Sequence, residues 1–74
     1  MSKLDPLLKT LSEAPETQID GTITAKIKRL IDCTDEVVAT ELKEIRDECV
    51  FGSLCSEFAL NIISQAIEIA ELKR

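Results

Sequence analysis

The scarcity of helix-breaking residues is the feature that most constrains this chain. Its 74 residues include two prolines and two glycines, which are Pro6, Pro15, Gly21 and Gly52. These two residue types interrupt helices most strongly, and apolar residues recur at helical spacing between them. The sequence therefore predicts one all-α domain over residues 1–74, near the lower size limit for a chain with a single core.

The first segment predicts a short amphipathic helix within residues 1–14. Pro6 suits the first helical turn, where no backbone N–H is needed. Four leucines follow the spacing of one helical face, namely Leu4, Leu7, Leu8 and Leu11. Pro15 then ends the helix, and residues 15–22 are polar enough to form a loop with one apolar residue, Ile19.

The second segment, residues 23–50, predicts a long helix. Its apolar stripe repeats with an offset of about eleven residues, which keeps one face in register along a nearly straight helix. The stripe consists of Ile27, Ile31, Val38, Leu42, Ile45 and Cys49. A second interpretation places two helices here, meeting near Cys33, with Thr34 capping the second one. We expect the single helix, with Thr34 on its buried stripe, because no residue in this stretch breaks a helix.

The third segment, residues 53–73, is apolar over more than half of its helical circumference. A helix that rests on one neighbour needs an apolar stripe only about 100° wide. It is therefore either the central helix of the domain or also packs against a second copy of the chain. We expect an antiparallel hairpin of the long helix and this one, completed as a bundle by oligomerisation. The expected self-interface is a strip at alternating spacings of four and three: Cys55, Ala59, Ile62, Ala66 and Ile69.

The stretch "ECVFGSLCSE", residues 48–57, contains two of the three cysteines. The C-x₅-C spacing of Cys49 and Cys55 is neither a zinc-binding nor a thiol-oxidoreductase motif, and the chain has no histidine to complete a metal site. We expect the corner of the hairpin here, with Gly52 providing the bend, Ser53 capping the next helix and Phe51 folded inward. With no export signal, the chain is expected in the cytoplasm with reduced thiols and no bound metal.

Charge and residue types narrow the function classes. The net charge of −5 disfavours nucleic acid as a partner, and no segment is apolar enough to span a membrane. The absence of His and Tyr argues against an enzyme, and no motif indicates a cofactor. We expect a non-enzymatic cytosolic protein of the adaptor, inhibitor or small-chaperone type, acting by association with itself and with another protein.

The alternative function is a homo-oligomer that binds an anionic small molecule such as a nucleotide. Lys26, Lys28 and Arg29 form the basic cluster of the sequence. In the predicted long helix they lie near the first turn, where free backbone N–H groups would help to bind an anion.

Overall fold

A computed structural model describes residues 4–72 of the chain. It contains four helices, α1 (Leu4–Ser12), α2 (Gly21–Leu30), α3 (Asp35–Gly52) and α4 (Glu57–Leu72). Loop 1 (residues 13–20), loop 2 (residues 31–34) and loop 3 (residues 53–56) connect them. The prediction of an all-α fold is confirmed, and between residues 4 and 72 the β-structure amounts to one isolated bridge.

The helices are arranged so that each one contacts two others. α1 packs against α2 and α4, and α3 packs against α2 and α4. The core between them is aliphatic, because α1 contributes leucines, α2 and α3 contribute isoleucines with Val38 and Leu42, and α4 contributes Ile63, Ile67 and three alanines. α4 is thus covered on two sides by helices of its own chain.

The predicted long helix over residues 23–50 is wrong, and the chain turns at loop 2 instead. Thr34 has extended backbone angles (φ −68°, ψ 156°), and its side-chain oxygen accepts a hydrogen bond from the Val37 N–H at 3.4 Å. Its carbonyl oxygen accepts the Val38 N–H at 2.9 Å. Thr34 is exposed rather than buried. The cap satisfies free N–H donors, and Asp35 and Glu36 in the first turn of α3 interact favourably with the helix dipole.

The corner between α3 and α4 also differs from the prediction. α3 continues through Gly52, and Ser53 adopts the left-handed conformation (φ 54°) that ends it. α4 begins at Glu57 rather than at residue 53, with Ser56 as its cap. The Ser56 hydroxyl accepts the Ala59 N–H at 3.2 Å, and the Ser56 carbonyl accepts the Leu60 N–H at 3.0 Å.

α3 and α4 pack against each other. Cys49 and Cys55 meet beside loop 3. Further away, the Lys43 ammonium lies 3.1 Å from a carboxylate oxygen of Glu71. This ion pair is nearly half exposed on both sides and contributes little to stability. Apolar contact between the two helices therefore contributes more to their packing than this ion pair does.

Candidate functional site

Loop 1 and loop 3 are joined by backbone hydrogen bonds. The Asp20 N–H donates to the Leu54 carbonyl at 2.8 Å, and the Ser56 N–H donates to the Gln18 carbonyl at 2.7 Å. The Ser56 hydroxyl also donates to Oε1 of Gln18 at 2.6 Å. Between these contacts the side chain of Ile19 is fully buried. The two loops therefore form one continuous end of the bundle, called the bridge end below.

A disulfide between Cys49 and Cys55 reinforces the bridge end. The prediction that all three thiols are free is therefore wrong for this pair. The C-x₅-C spacing matches no motif, yet the left-handed turn at Ser53 reverses the chain and leaves the two Cα atoms 5.3 Å apart, within the range for a disulfide. Cys33 is a free and exposed thiol.

An apolar groove opens beside the bridge end. It has a volume of about 380 Å³ and lies between the end of α1, loop 1 and the start of α4. Seven apolar residues line it: Leu11, Ala14, Pro15, Ile19, Phe58, Ala59 and Ile62. The two walls come from parts of the chain that are far apart in sequence, so only the assembled fold creates this groove.

The polar side chains that line the groove already have hydrogen-bond partners within the chain. The Thr10 hydroxyl donates to the Pro6 carbonyl at 2.8 Å. Oε1 of Gln18 accepts from the Ser56 hydroxyl. The groove therefore presents a mainly apolar surface. Oε1 of Gln18, its side-chain amide acceptor, is already hydrogen-bonded to Ser56.

Both aromatic residues of the chain lie outside the core. Phe58, on the groove wall, is 58% exposed, and Phe51 is 88% exposed. The prediction that Phe51 folds inward is wrong, because two positions along a helix rotate a side chain by about 200° from the buried Cys49. Contiguous exposed apolar surfaces mark interaction sites, whereas apolar side chains exposed singly are common. Phe58 belongs to the apolar lining of the groove, and Phe51 does not.

Two exposed glutamates are sequence neighbours of residues that line the groove. Glu13 adjoins Ala14, Glu57 adjoins Phe58, and both are exposed. Neither carboxylate is in one of the two ion pairs found among residues 4–72. Glu16 is turned away towards the start of α2, since its Oε1 lies 3.0 Å from the position a Cβ on Gly21 would take. Lys9 is the neighbouring cation.

Of the three cations of the predicted anion site, Lys26 and Arg29 line the same groove and Lys28 does not. Lys28 and Arg29 lie in the last turn of α2, the carbonyl end of the helix dipole. Lys26 instead makes an ion pair with Glu48 at 2.7 Å. The groove of about 340 Å³ between α2 and α3 is lined by Lys26 and Arg29 but also by three carboxylates: Glu41, Glu44 and Glu48. Lys26 is the sixth residue of α2, beyond the first turn. The free backbone N–H groups of a helix start therefore do not support an anion site there.

The predicted self-interface is distributed between the core and the surface. Ala59 and Ala66 are buried within the single chain. Ile62 and Ile69 are half-buried and pack against the core, and Cys55 forms the disulfide. A second copy would therefore meet only part of this strip, and the self-interface stays a prediction.

Sequence reasoning missed the groove, although Ile19 offered a signal. It is the single apolar residue in the otherwise polar stretch from Pro15 to Asp20, and such a residue in a loop often anchors that loop to the core. Between residues 4 and 72, no three His, Cys, Asp or Glu side chains are grouped so that they could hold a metal ion. No helix in that range is long and apolar enough to cross a membrane.

The chain matches no protein-family model, no curated protein and no solved structure. The class that the fold and the groove define is that of a small all-α domain with an apolar surface cleft. The function is therefore argued below from this geometry.

Proposed function

We propose that the chain is a non-enzymatic protein that acts by binding another protein at the apolar groove beside the bridge end. The observation that carries this proposal is Phe58, one of two aromatic side chains in the chain, which lines the groove while remaining 58% exposed. Aromatic residues are enriched at the centres of protein interfaces, where they supply most of the binding energy.

The occupant proposed is a different protein rather than a second copy. The apolar arc of α4 was the argument for self-association, and α1 and α3 already cover much of it within one chain. The part of the α4 surface that lines the groove, with Phe58 and Ile62, stays accessible to a partner. An adaptor, inhibitor or small chaperone would use such a surface without chemistry of its own, which is consistent with the absence of His and Tyr.

The disulfide changes the argument about the cellular compartment. Disulfides persist mainly in oxidising compartments, so the Cys49–Cys55 bond removes the free-thiol argument for the cytoplasm. The residues that line the groove include no titrating group.

Site-specific photo-cross-linking tests the proposal. A photoreactive phenylalanine analogue replaces Phe58 in the full chain, expressed in cells of the source organism, and illumination should give one discrete cross-linked product. The mass of that product identifies the occupant: a second copy adds another 8.2 kDa, whereas a different protein adds its own mass.

The matched control carries the same analogue at Phe51, which is more exposed but does not line the groove. The product should form from position 58 and not from position 51. Equal products from both positions would indicate non-specific contact, and no product from position 58 would show that the groove is not a binding site.

A further inference from the structure

We infer that the partner's binding segment is an amphipathic helix whose apolar side chains enter the groove and whose flanking residues are basic. This inference rests on the proposed function and specifies the kind of partner. Three properties of the groove support it: the elements that form its walls, the polarity of its floor and the charge around it.

The groove walls favour a helical ligand over an extended one. An extended peptide usually binds by adding a strand to an exposed sheet edge. Residues 4–72 contain no β-strand, and their one isolated bridge, between Ile19 and Cys55, is too short to serve as such an edge. Two helices and a loop form the walls, and an amphipathic helix laid into a cleft between helices is the established alternative.

The floor of the groove selects apolar side chains. Seven of the nine lining residues are apolar. The two polar ones, Thr10 and Gln18, are exposed, and the Thr10 hydroxyl hydrogen and Gln18 Oε1 are engaged within the chain. A polar ligand group placed there would lose its hydration for little return, at a cost that apolar groups avoid. At about 380 Å³ the groove can hold a few side chains, so the remaining surface of a bound helix would extend over the rim.

The charge around the groove selects basic flanking residues. Glu13 and Glu57 carry two exposed charges without an ion-pair partner among the described residues, against one neighbouring cation, Lys9. The whole chain carries −5. Opposite charges on the rim of an interface accelerate association and exclude partners of the wrong sign. The same charges oppose a second copy of this chain as the occupant.

Two synthetic peptides test the inference on the full oxidised chain. Each spans about four helical turns, is held helical by a side-chain cross-link on its outer face, and carries leucines at i, i+4 and i+7. The flanking positions are lysine in one peptide and glutamate in the other. Fluorescence anisotropy should show the lysine peptide binding about tenfold more tightly, with the difference shrinking as salt screens the charges.

Two sets of variants locate the binding. Phe58→Ala should weaken the lysine peptide about tenfold, the usual loss for an interface aromatic, whereas Phe51→Ala should leave it unchanged. Glu13→Gln together with Glu57→Gln should reduce the preference for lysine. Circular dichroism of each variant confirms that its helices are intact, so lost binding can be assigned to the groove.

Three results would overturn the inference. They are equal affinity for both peptides, binding that Phe58→Ala does not affect, and no binding of either peptide. In each case a cross-link specific to position 58 in cells would still support the proposed function, and would show that the partner's chemistry is different. A dimer of the chain that Phe58→Ala dissociates would instead assign the groove to a second copy.

Discussion

Reduction of the Cys49–Cys55 disulfide should lower the free energy of unfolding by about 2 kcal/mol, from the chain-entropy estimate for a loop of about seven residues. The two cysteines are six positions apart, so the bond restricts only a short loop in the unfolded chain. Cys49 is fully buried, and reduction moves the two sulfurs apart but removes no heavy atom from the site. Reduction therefore removes the cross-link without opening a cavity.

Urea unfolding followed by far-UV circular dichroism measures this difference. The experiment uses Cys33→Ser, which removes the exposed free thiol and prevents exchange with the pair. This variant is unfolded with and without a dithiol reductant. A loss of 2 kcal/mol corresponds to a fall in melting temperature of about 8 to 16 °C for a domain of this size.

The matched control is Cys33→Ser with Cys49→Ala and Cys55→Ala, which should be insensitive to reductant. It should also be less stable than the reduced protein, because alanine at position 49 leaves a small cavity. Two observations together would refute the reasoning: identical unfolding curves in both conditions, and two reactive thiols in native Cys33→Ser purified without reductant.

Three further predictions concern single positions. Thr34→Ile should cost about 1 kcal/mol through loss of the α3 cap, whereas Thr34→Ser should retain stability; a stabilising isoleucine would contradict the cap. Ser53→Gly should raise the unfolding free energy by about 1 kcal/mol, because glycine adopts the left-handed conformation without strain; an unchanged urea midpoint would count against this. Ala66→Glu should cost about 4 kcal/mol or more by burying a charge, whereas the exposed Glu68→Ala should change stability by less than about 0.5 kcal/mol; a folded Ala66→Glu protein by thermal melting would show that position 66 is open.

Local periodicity was sufficient to predict the fold class and two of the helical faces. The leucine face of α1 is correct, with Leu4, Leu8 and Leu11 buried and Leu7 partly buried against the core. The apolar stripe of α3 is also correct at each of its four positions: Val38, Leu42, Ile45 and Cys49. Such stripes are readable from sequence because a helix resting on one core must repeat its apolar residues every three or four positions.

Periodicity could not show where the chain reverses direction. Ile27 and Ile31 share the spacing of the α3 positions, so the predicted stripe continues across the turn. Ile27 is buried as predicted, but Ile31 lies in loop 2 and is exposed. The deciding interactions are the local cap at Thr34 and the packing of α2 against both α1 and α3. The cap was visible in the sequence, but the packing depends on contacts between distant segments, which a single helix pattern does not contain.

The groove could not be predicted from the sequence, for a related reason. Leu11 and Ile19 form one wall and Phe58 and Ile62 the other, and nothing in either stretch indicates that the two should meet. The disulfide depends in the same way on the reversal at Ser53, an uncommon conformation for a residue other than glycine. Three-dimensional proximity, rather than residue type, creates both features.

The backbone bridge between loop 1 and loop 3 makes the integrity of the groove measurable by hydrogen exchange. The amide hydrogens of Asp20 and Ser56 are donated across the gap between the loops, so they exchange with solvent only when the loops separate. The same separation would part Ile19 from Phe58 and abolish the groove. Protection at these two amides therefore reports the fraction of molecules competent to bind, and a ligand that fills the groove should slow their exchange in proportion to its occupancy.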